Sequence, residues 1–281
     1  MESRLEQIRD KQKNSWNHFS DGWKKWDEFN MRSLKYWADE IIRLINPKEG
    51  DVILDVASGT GEPGLTIASM IGDGSVVITD LSDGMLETAR EKAAEAGRMN
   101  VQVHAADVSA LPFEDNSFDA ISCRFGFMFF PDMQQAASEL RRVLKPGGRI
   151  AVSVWSKPEH NFWVMATLNT LRQKLQLPIP PADAPGMFRC ADDGFIASIF
   201  KKAGFKNIKE SRITGELLPG TLDTYWSFMT EVITPVVAAL ADISDEMKGR
   251  LKQEVFKIIT AASPNGTIAL EACGMVTYGE K

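Results

Sequence analysis

At 281 residues, 44% hydrophobic and 25% charged, the chain has the composition of an ordinary soluble globular protein, long enough for one large α/β domain with additions or two small ones. Its formal net charge of −6 argues against a general affinity for nucleic acid or anionic membrane. Three scattered cysteines (Cys123, Cys190, Cys273) argue against a disulfide framework or a zinc site, and no metal site is expected.

Taken in order, the segment from Leu5 to Ile45 is rich in helix formers and stops at Asn46-Pro47. Within it Trp16, Phe19, Trp23 and Trp26 share one helical face. "VILDV" is then a continuous apolar run, as expected of a strand buried on both faces. A helix from about Pro63 to Ile71, the strand "SVVITD" and a helix from about Asp83 to Gly97 follow. "VQVHAAD" reads as a third strand, buried and carrying His104, and "AISCRFG" as a fourth. "MQQAASELRRVL" reads as a helix, "KPGG" as its stop and "RIAVSVW" as a fifth strand. Alternation of this kind builds a parallel sheet with helices on both faces. Residues 156–194, with five prolines between Pro158 and Pro185 around the helix-like "FWVMATLNTLRQKL", interrupt it and read as an insertion. A helix ("DGFIASIFKKAGF"), a strand ("NIKESRITGEL"), two helices between Leu222 and Ala262 and a last strand around "ALEACGMVTYG" complete the chain.

The first strand runs into Gly59-Thr60-Gly61-Glu62-Pro63-Gly64, a G-x-G-x-x-G loop of the kind that cradles a pyrophosphate. Asp55 enters that loop, and a carboxylate there would face two phosphate charges. At ~6 Å and an effective dielectric of ~20 one such repulsion is roughly 3 kcal/mol. A ligand carrying a sulfonium and an ammonium reverses the sign. Asp80 ends the second strand where a carboxylate accepts both ribose hydroxyls, a feature shared with dinucleotide sites, and it also stands where it would cap the next helix. Asp107 ends the third strand and has the same two readings.

The segments "ILDVASGTGEPGLTIA", "VVITDLSDGMLETAREKA", "HAADVSALPFEDNSFDAISCRFGFMFF" and "ELRRVLKPGGRIAVSVW" occur in the order found in S-adenosylmethionine-dependent methyltransferases. The chain resembles the class I, ubiquinone/menaquinone-biosynthesis (methyltransferase type 11-like) group, strongly from Pro47 to Trp155 and elsewhere in general layout. The resemblance implies a Rossmann-like doubly wound α/β fold with a seven-stranded, mostly parallel sheet whose last strand is antiparallel. The helical segment 1–46, with its aromatic face, reads as core packing or as a cap or lid across the mouth of a methyltransferase domain (47–281), in which the helical insertion after strand 5 (156–194) reads as lying over the acceptor site. The implied reaction is methyl transfer from S-adenosyl-L-methionine, leaving S-adenosyl-L-homocysteine, to a small aromatic or apolar acceptor on carbon, oxygen or nitrogen.

By the same resemblance Asp55, Ala57, Ser58, Gly59, Thr60 and Gly61 surround the methionine part of the donor. Asp80 holds the ribose, Leu81 and Met85 flank the adenine, and Ala106, Asp107 and Val108 meet its edge. Arg124 follows the fourth strand near the donor's amino end. Ala57 and Ser58 stand where the family often has glycine and cysteine, small residues that keep the loop's shape. The aromatic run after strand 4 and the start of the insertion supply acceptor candidates: Phe125, Phe127, Met128, Trp155, Phe162 and Trp163, with Phe19 from the cap. His18 and His160 are the candidate bases, although each also reads as incidental. Two rival functions share the same motifs: an NAD(P)-dependent oxidoreductase built on the glycine loop, and a cofactor-binding protein without turnover. The charged N-terminus, the cysteine usage and the lack of any run near ~18 apolar residues lead us to expect a cytoplasmic protein with no membrane span.

Overall fold

The computed structural model describes residues 3–179, 181 and 183–281; Pro180 of the proline-rich stretch lies outside the described residues. The chain opens with α1 (Arg4–Lys25), α2 (Asp27–Ser33) and α3 (Lys35–Ile45). α1 begins at a capping box in which Ser3 Oγ accepts from the Glu6 N–H and the Ser3 N–H donates to the Glu6 carboxylate. The helix-rich segment from Leu5 to Ile45 forms three helices, broken at Trp26 and Leu34. Trp26 is drawn out of line by its partners: its ring packs on Phe29 and Phe228, and its indole N–H donates to Glu231.

Among the described residues, seven strands form one sheet: β1 (Val52–Val56), β2 (Ser75–Asp80), β3 (Val101–Ala105), β4 (Phe118–Arg124), β5 (Leu144–Trp155), β6 (Lys206–Leu217) and β7 (Leu270–Glu280). Their order is β3-β2-β1-β4-β5-β7-β6; the first five run parallel, and β7 lies antiparallel between β5 and β6. This is the Rossmann-like layout expected from the alternation. β1 is central and its residues from Ile53 to Val56 are buried, which explains the uninterrupted apolar run. β3, by contrast, is an edge strand. His104 is exposed there rather than inside a buried strand, in keeping with the alternation of apolar and polar residues in "VQVH".

Helices α4 (Gly64–Ala68) and α5 (Asp83–Glu95) follow β1 and β2, and α6 (Met133–Val143) precedes β5. α7 (Phe162–Leu175) lies in the expected insertion, and α8 (Phe195–Ala203) leads to β6. Beyond β6 come α9 (Leu222–Val232), α10 (Thr234–Leu240) and α11 (Asp245–Ala262), three helices where two were expected. Pro235 starts α10 and accounts for the extra break.

The two faces of the sheet are covered by different helices, and β7 records both. A Cβ at Gly274 would lie 2.5 Å from Trp37 Nε1 of α3, whereas one at Gly279 would meet Phe200 of α8 and Phe205 at 3.2 Å. These glycines are five positions apart, an odd step, so in a strand they face opposite ways. α3 is thus built into the sheet's cover through Trp37, Ile41 and Ile45, all fully buried. α1 instead packs on α5. Asn17 Oδ1 accepts from Ser82 Oγ at 2.7 Å and from the Gly84 N–H at 3.2 Å, and Lys13 pairs with Asp83 at 3.0 Å. Among the described residues, no helix is long and apolar enough to cross a membrane.

Candidate active site

Strand order reverses on either side of β1 and β4, and open α/β sheets bind ligands outside the carboxyl ends of the strands at such a point. A cleft of about 910 Å³, counting its open mouth, lies there. Its floor is Val56 to Gly59 after β1, Asp80 and Leu81 after β2, Ala106 to Val108 after β3, and Arg124 to Gly126 after β4. Met85 closes one side and Phe129 to Pro131 another. α1 crosses the top, contributing Arg9, Gln12, Trp16 and Trp23, and Leu34 joins them from the α2–α3 junction.

The backbone at the floor is held in an unusual state. Ala57 and Phe125, the first residues past β1 and β4, have positive φ of 50° and 56°, where non-glycine residues are uncommon. Neighbours hold both in place: the Ser58 N–H donates to the Thr79 carbonyl at 3.1 Å, and the Phe125 N–H to the Ser153 carbonyl at 3.0 Å. Gly126 lets the two loops touch, because a Cβ there would sit 2.5 Å from the Ala57 Cβ. Gly126→Ala is therefore expected to push the loops apart, costing about 1–3 kcal/mol of stability and weakening ligand binding in the cleft. Thermal unfolding and calorimetry at wild-type values would contradict this.

Charge is distributed unevenly. Asp80 is half-buried, and its oxygens accept from the Gly59 N–H at 2.9 Å and the Ser82 N–H at 2.8 Å. It thereby ties the glycine loop to the end of β2. The helix cap is Ser82 itself, whose hydroxyl accepts from the Met85 N–H. Burial raises the Asp80 carboxyl above its ordinary pKa, against the pull of the Ser82, Gly59 and Leu81 N–H groups. Asp107 accepts from the Ser109 N–H at 2.8 Å and stands 3.8 Å from Arg9, which also bonds Asp10 at 2.9 Å. Arg124 is 8% exposed, and among the described residues its hydrogen bond goes to Met31 Sδ at 3.5 Å. Burial depresses the Arg124 pKa, and the more distant Glu62, Asp55 and Asp27 partly offset this.

Ten of the donor-site candidates converge on this cleft: Ala57, Ser58, Gly59, Asp80, Leu81, Met85, Ala106, Asp107, Val108 and Arg124. Asp55, Thr60 and Gly61 do not line it. The Asp55 side chain is fully buried: one oxygen accepts from Ser122 Oγ at 2.6 Å and the other from the Gly64 N–H at 2.9 Å. Its register partner on β4 is Ser122, so the two side chains meet within the sheet. Burial pushes its pKa up to about 7. The expected attraction between an exposed Asp55 carboxylate and a cationic ligand therefore does not hold; Asp55 braces the loop from beneath. Thr60 turns outward to donate to Asp27 at 2.5 Å, fastening the loop to α2, and Asp27 also pairs with Lys92 at 2.8 Å. Gly61, at φ 101°, packs toward Leu65 and Ala89.

Of the acceptor candidates only Phe125 reaches the cleft. Phe127 and Met128 are buried in the core, the former against Phe130 and Phe200. Trp155 stacks on Phe125 at 4.1 Å and packs on Trp163, whose indole donates to Asn161. Phe162 packs against the core, and Phe19 lies beside exposed His18 at 5.1 Å. Neither His18 nor His160 lines the cleft; His160 sits in a 3-10 turn, Pro158–His160. None of the described residues of 156–194 lines it either, but Arg189 donates to the Phe130 carbonyl at 2.5 Å and supports the cleft's aromatic wall from behind. Trp16 and Trp23 belong to the tryptophan face that the sequence shows, and Arg9 and Gln12, which sequence reasoning missed, continue its helical spacing toward the N-terminus. That spacing was the available signal.

The comparisons with known proteins agree with this geometry. The model of the ubiE/COQ5 methyltransferase family matches residues 10–173. A ubiquinone/menaquinone biosynthesis C-methyltransferase UbiE from Teredinibacter turnerae is 34% identical over 195 residues, 66% of this chain and 78% of that protein. A demethylmenaquinone methyltransferase from Bacillus subtilis is 30% identical over 213 residues, 69% of this chain and 89% of its own length. In fold, the crystal structure of the YcgJ protein from Bacillus subtilis superimposes with a TM-score of 0.59 at 20% identity, over 88% of this chain and 98% of that one.

Proposed function

This chain belongs to the ubiE/COQ5 methyltransferase family and is an S-adenosylmethionine-dependent methyltransferase; we propose that its acceptor is an electron-rich quinol-type ring, methylated on carbon. The observation that carries this reading is the division of one cleft into two chemically different ends. Around Asp80, Asp107 and the glycine loop it is polar and acidic. Around Leu34, Phe125, Phe129, Phe130 and Trp16 it is apolar and aromatic. The cleft fits the donor on its own chemistry: carboxylates suited to hydroxyl and amine hydrogens at one end, a close-approach cradle at Gly126, and an uncommitted arginine beside it.

Asp80 accepts the ribose hydroxyls with the lone pairs left by its two backbone bonds, and Asp107 with Val108 meets the adenine edge. The bound donor supplies a methyl on a sulfonium, already activated toward a carbon nucleophile. The protein's task is near-attack placement in a dry pocket. The aromatic wall holds the ring flat and excludes water, and α1 closes over it as the lid, while α3 belongs to the body of the fold. Within 156–194, Arg189 acts as a buttress behind that wall through its bond to the Phe130 carbonyl. The histidines all lie elsewhere, so this reading assigns none of them a proton transfer; the ring proton that carbon methylation displaces leaves to solvent through the open mouth of the cleft after the methyl has moved. Two relatives named for quinone-precursor methylation support the acceptor class. The three cysteines, all buried and free, support a reducing cytoplasmic setting.

The test is methyl transfer from isotope-labelled donor across demethylated quinols, phenols, amines and lipid head-groups. The label should appear on a ring carbon of the quinol, located by NMR. Label found solely on oxygen or nitrogen would refute the acceptor assignment.

A further inference from the structure

Resting on the donor reading above, we infer that Arg124 and the Trp23 indole N–H form an anion subsite for the α-carboxylate of the donor's methionine part. Cationic side chains line the cleft at two places. Arg9 is committed near the adenine end, bonded to Asp10 at 2.9 Å and 3.8 Å from Asp107. Arg124 is different. It is more than nine-tenths buried, lines the cleft, and among the described residues has no carboxylate within 4.0 Å. A buried guanidinium left with a thioether partner is costly unless a ligand supplies the countercharge.

The second observation is independent. Trp23 lines the same cleft from α1, and its indole Nε1 is buried with no hydrogen-bond partner in the chain. Buried indole N–H groups normally find an acceptor. Both residues belong to the methionine end. Arg124 closes β4 next to β1, two residues past Ser122, the register partner of Asp55 on the strand that leads into the glycine loop. Trp23 lies four residues before Asp27, which bonds Thr60 of that loop. A zwitterionic amino acid placed there presents one full negative charge, and a guanidinium fork with an added N–H matches a carboxylate's two oxygens.

A ligand pair isolates this contact. S-Adenosylhomocysteine carries the carboxylate; 5′-deoxy-5′-(3-aminopropylthio)adenosine is the same molecule without it. By calorimetry, Arg124→Met should lower affinity for the first about 10- to 100-fold and change the second by less than about threefold. Trp23→Phe should show the same selectivity with a smaller loss. Arg124→Lys, which keeps the charge without the fork, should recover part of the loss and serves as a second variant if Arg124→Met does not fold. Equal losses for both ligands in the folded variants would mean a merely structural role and overturn the subsite. So would unchanged binding of S-adenosylhomocysteine. A wild-type chain that binds neither ligand would overturn the donor site itself and the subsite with it, a result distinct from the other two.

Discussion

Asp80→Ala lowers affinity for S-adenosylhomocysteine by at least about 100-fold in calorimetry, because two hydroxyl hydrogen bonds to a charged acceptor are each worth about 1.5–3 kcal/mol. The loss has a second component. The same carboxylate accepts from the Gly59 and Ser82 N–H groups, so removing it also frees the glycine loop. 5′-Methylthioadenosine, which keeps the ribose and lacks the amino acid, should lose affinity by a similar factor, placing the effect at the sugar. Because burial raises this carboxyl above its ordinary range, affinity should fall with acidification sooner than for a solvated aspartate; the protonated acid accepts hydroxyl hydrogens poorly. Unchanged affinity in the alanine variant would remove Asp80 from the site.

Asp55 is expected to make stability fall as pH rises through the range in which it ionises. Its carboxyl has a pKa of about 7 in the folded chain against 3.8 for an ordinary aspartate. At low pH both states carry the proton and the group costs nothing. As pH rises from about 4 to 7 the unfolded chain releases it while the folded chain retains it, so stability falls. At about 1.4 kcal/mol for each tenfold difference in proton affinity, the full loss is about 4 kcal/mol, complete once the folded carboxyl has ionised. Asp55→Asn keeps the shape, accepting from the Gly64 N–H and donating to Ser122 Oγ, but cannot ionise. Calorimetric melting of the ligand-free chain between pH 5 and 8 should show the wild type losing stability relative to the asparagine variant. Parallel pH profiles for the two would contradict the assignment.

Much of the fold was legible because its signals are local. An apolar run for β1, alternating strands and helices, and glycine or proline stops are each set within a few residues. What failed depended on neighbours brought from far along the chain. Asp55 read as a cleft residue because it ends a strand at a binding loop, yet pairing with β4 sets Ser122 beside it. The aromatic run after β4 read as one pocket wall, but its 3-10 turn (Phe127–Phe129) splits it, with Phe125, Phe129 and Phe130 facing the cleft and Phe127 and Met128 the core. Trp26, grouped with the other tryptophans by spacing, leaves their face because α1 ends at Lys25. His104 is expected in a buried strand, but β3 lies at the edge of the sheet, as the apolar–polar alternation of "VQVH" also indicates.

The most direct test of the account is a crystal structure of the chain with S-adenosylhomocysteine. The account predicts the ligand in the cleft beneath α1, its ribose hydroxyls on Asp80, its amino-acid end between the loops after β1 and β4, and its sulfur facing the wall of Phe125, Phe129 and Phe130. Density for the ligand outside this cleft, or inside it with the ribose away from Asp80, would contradict it.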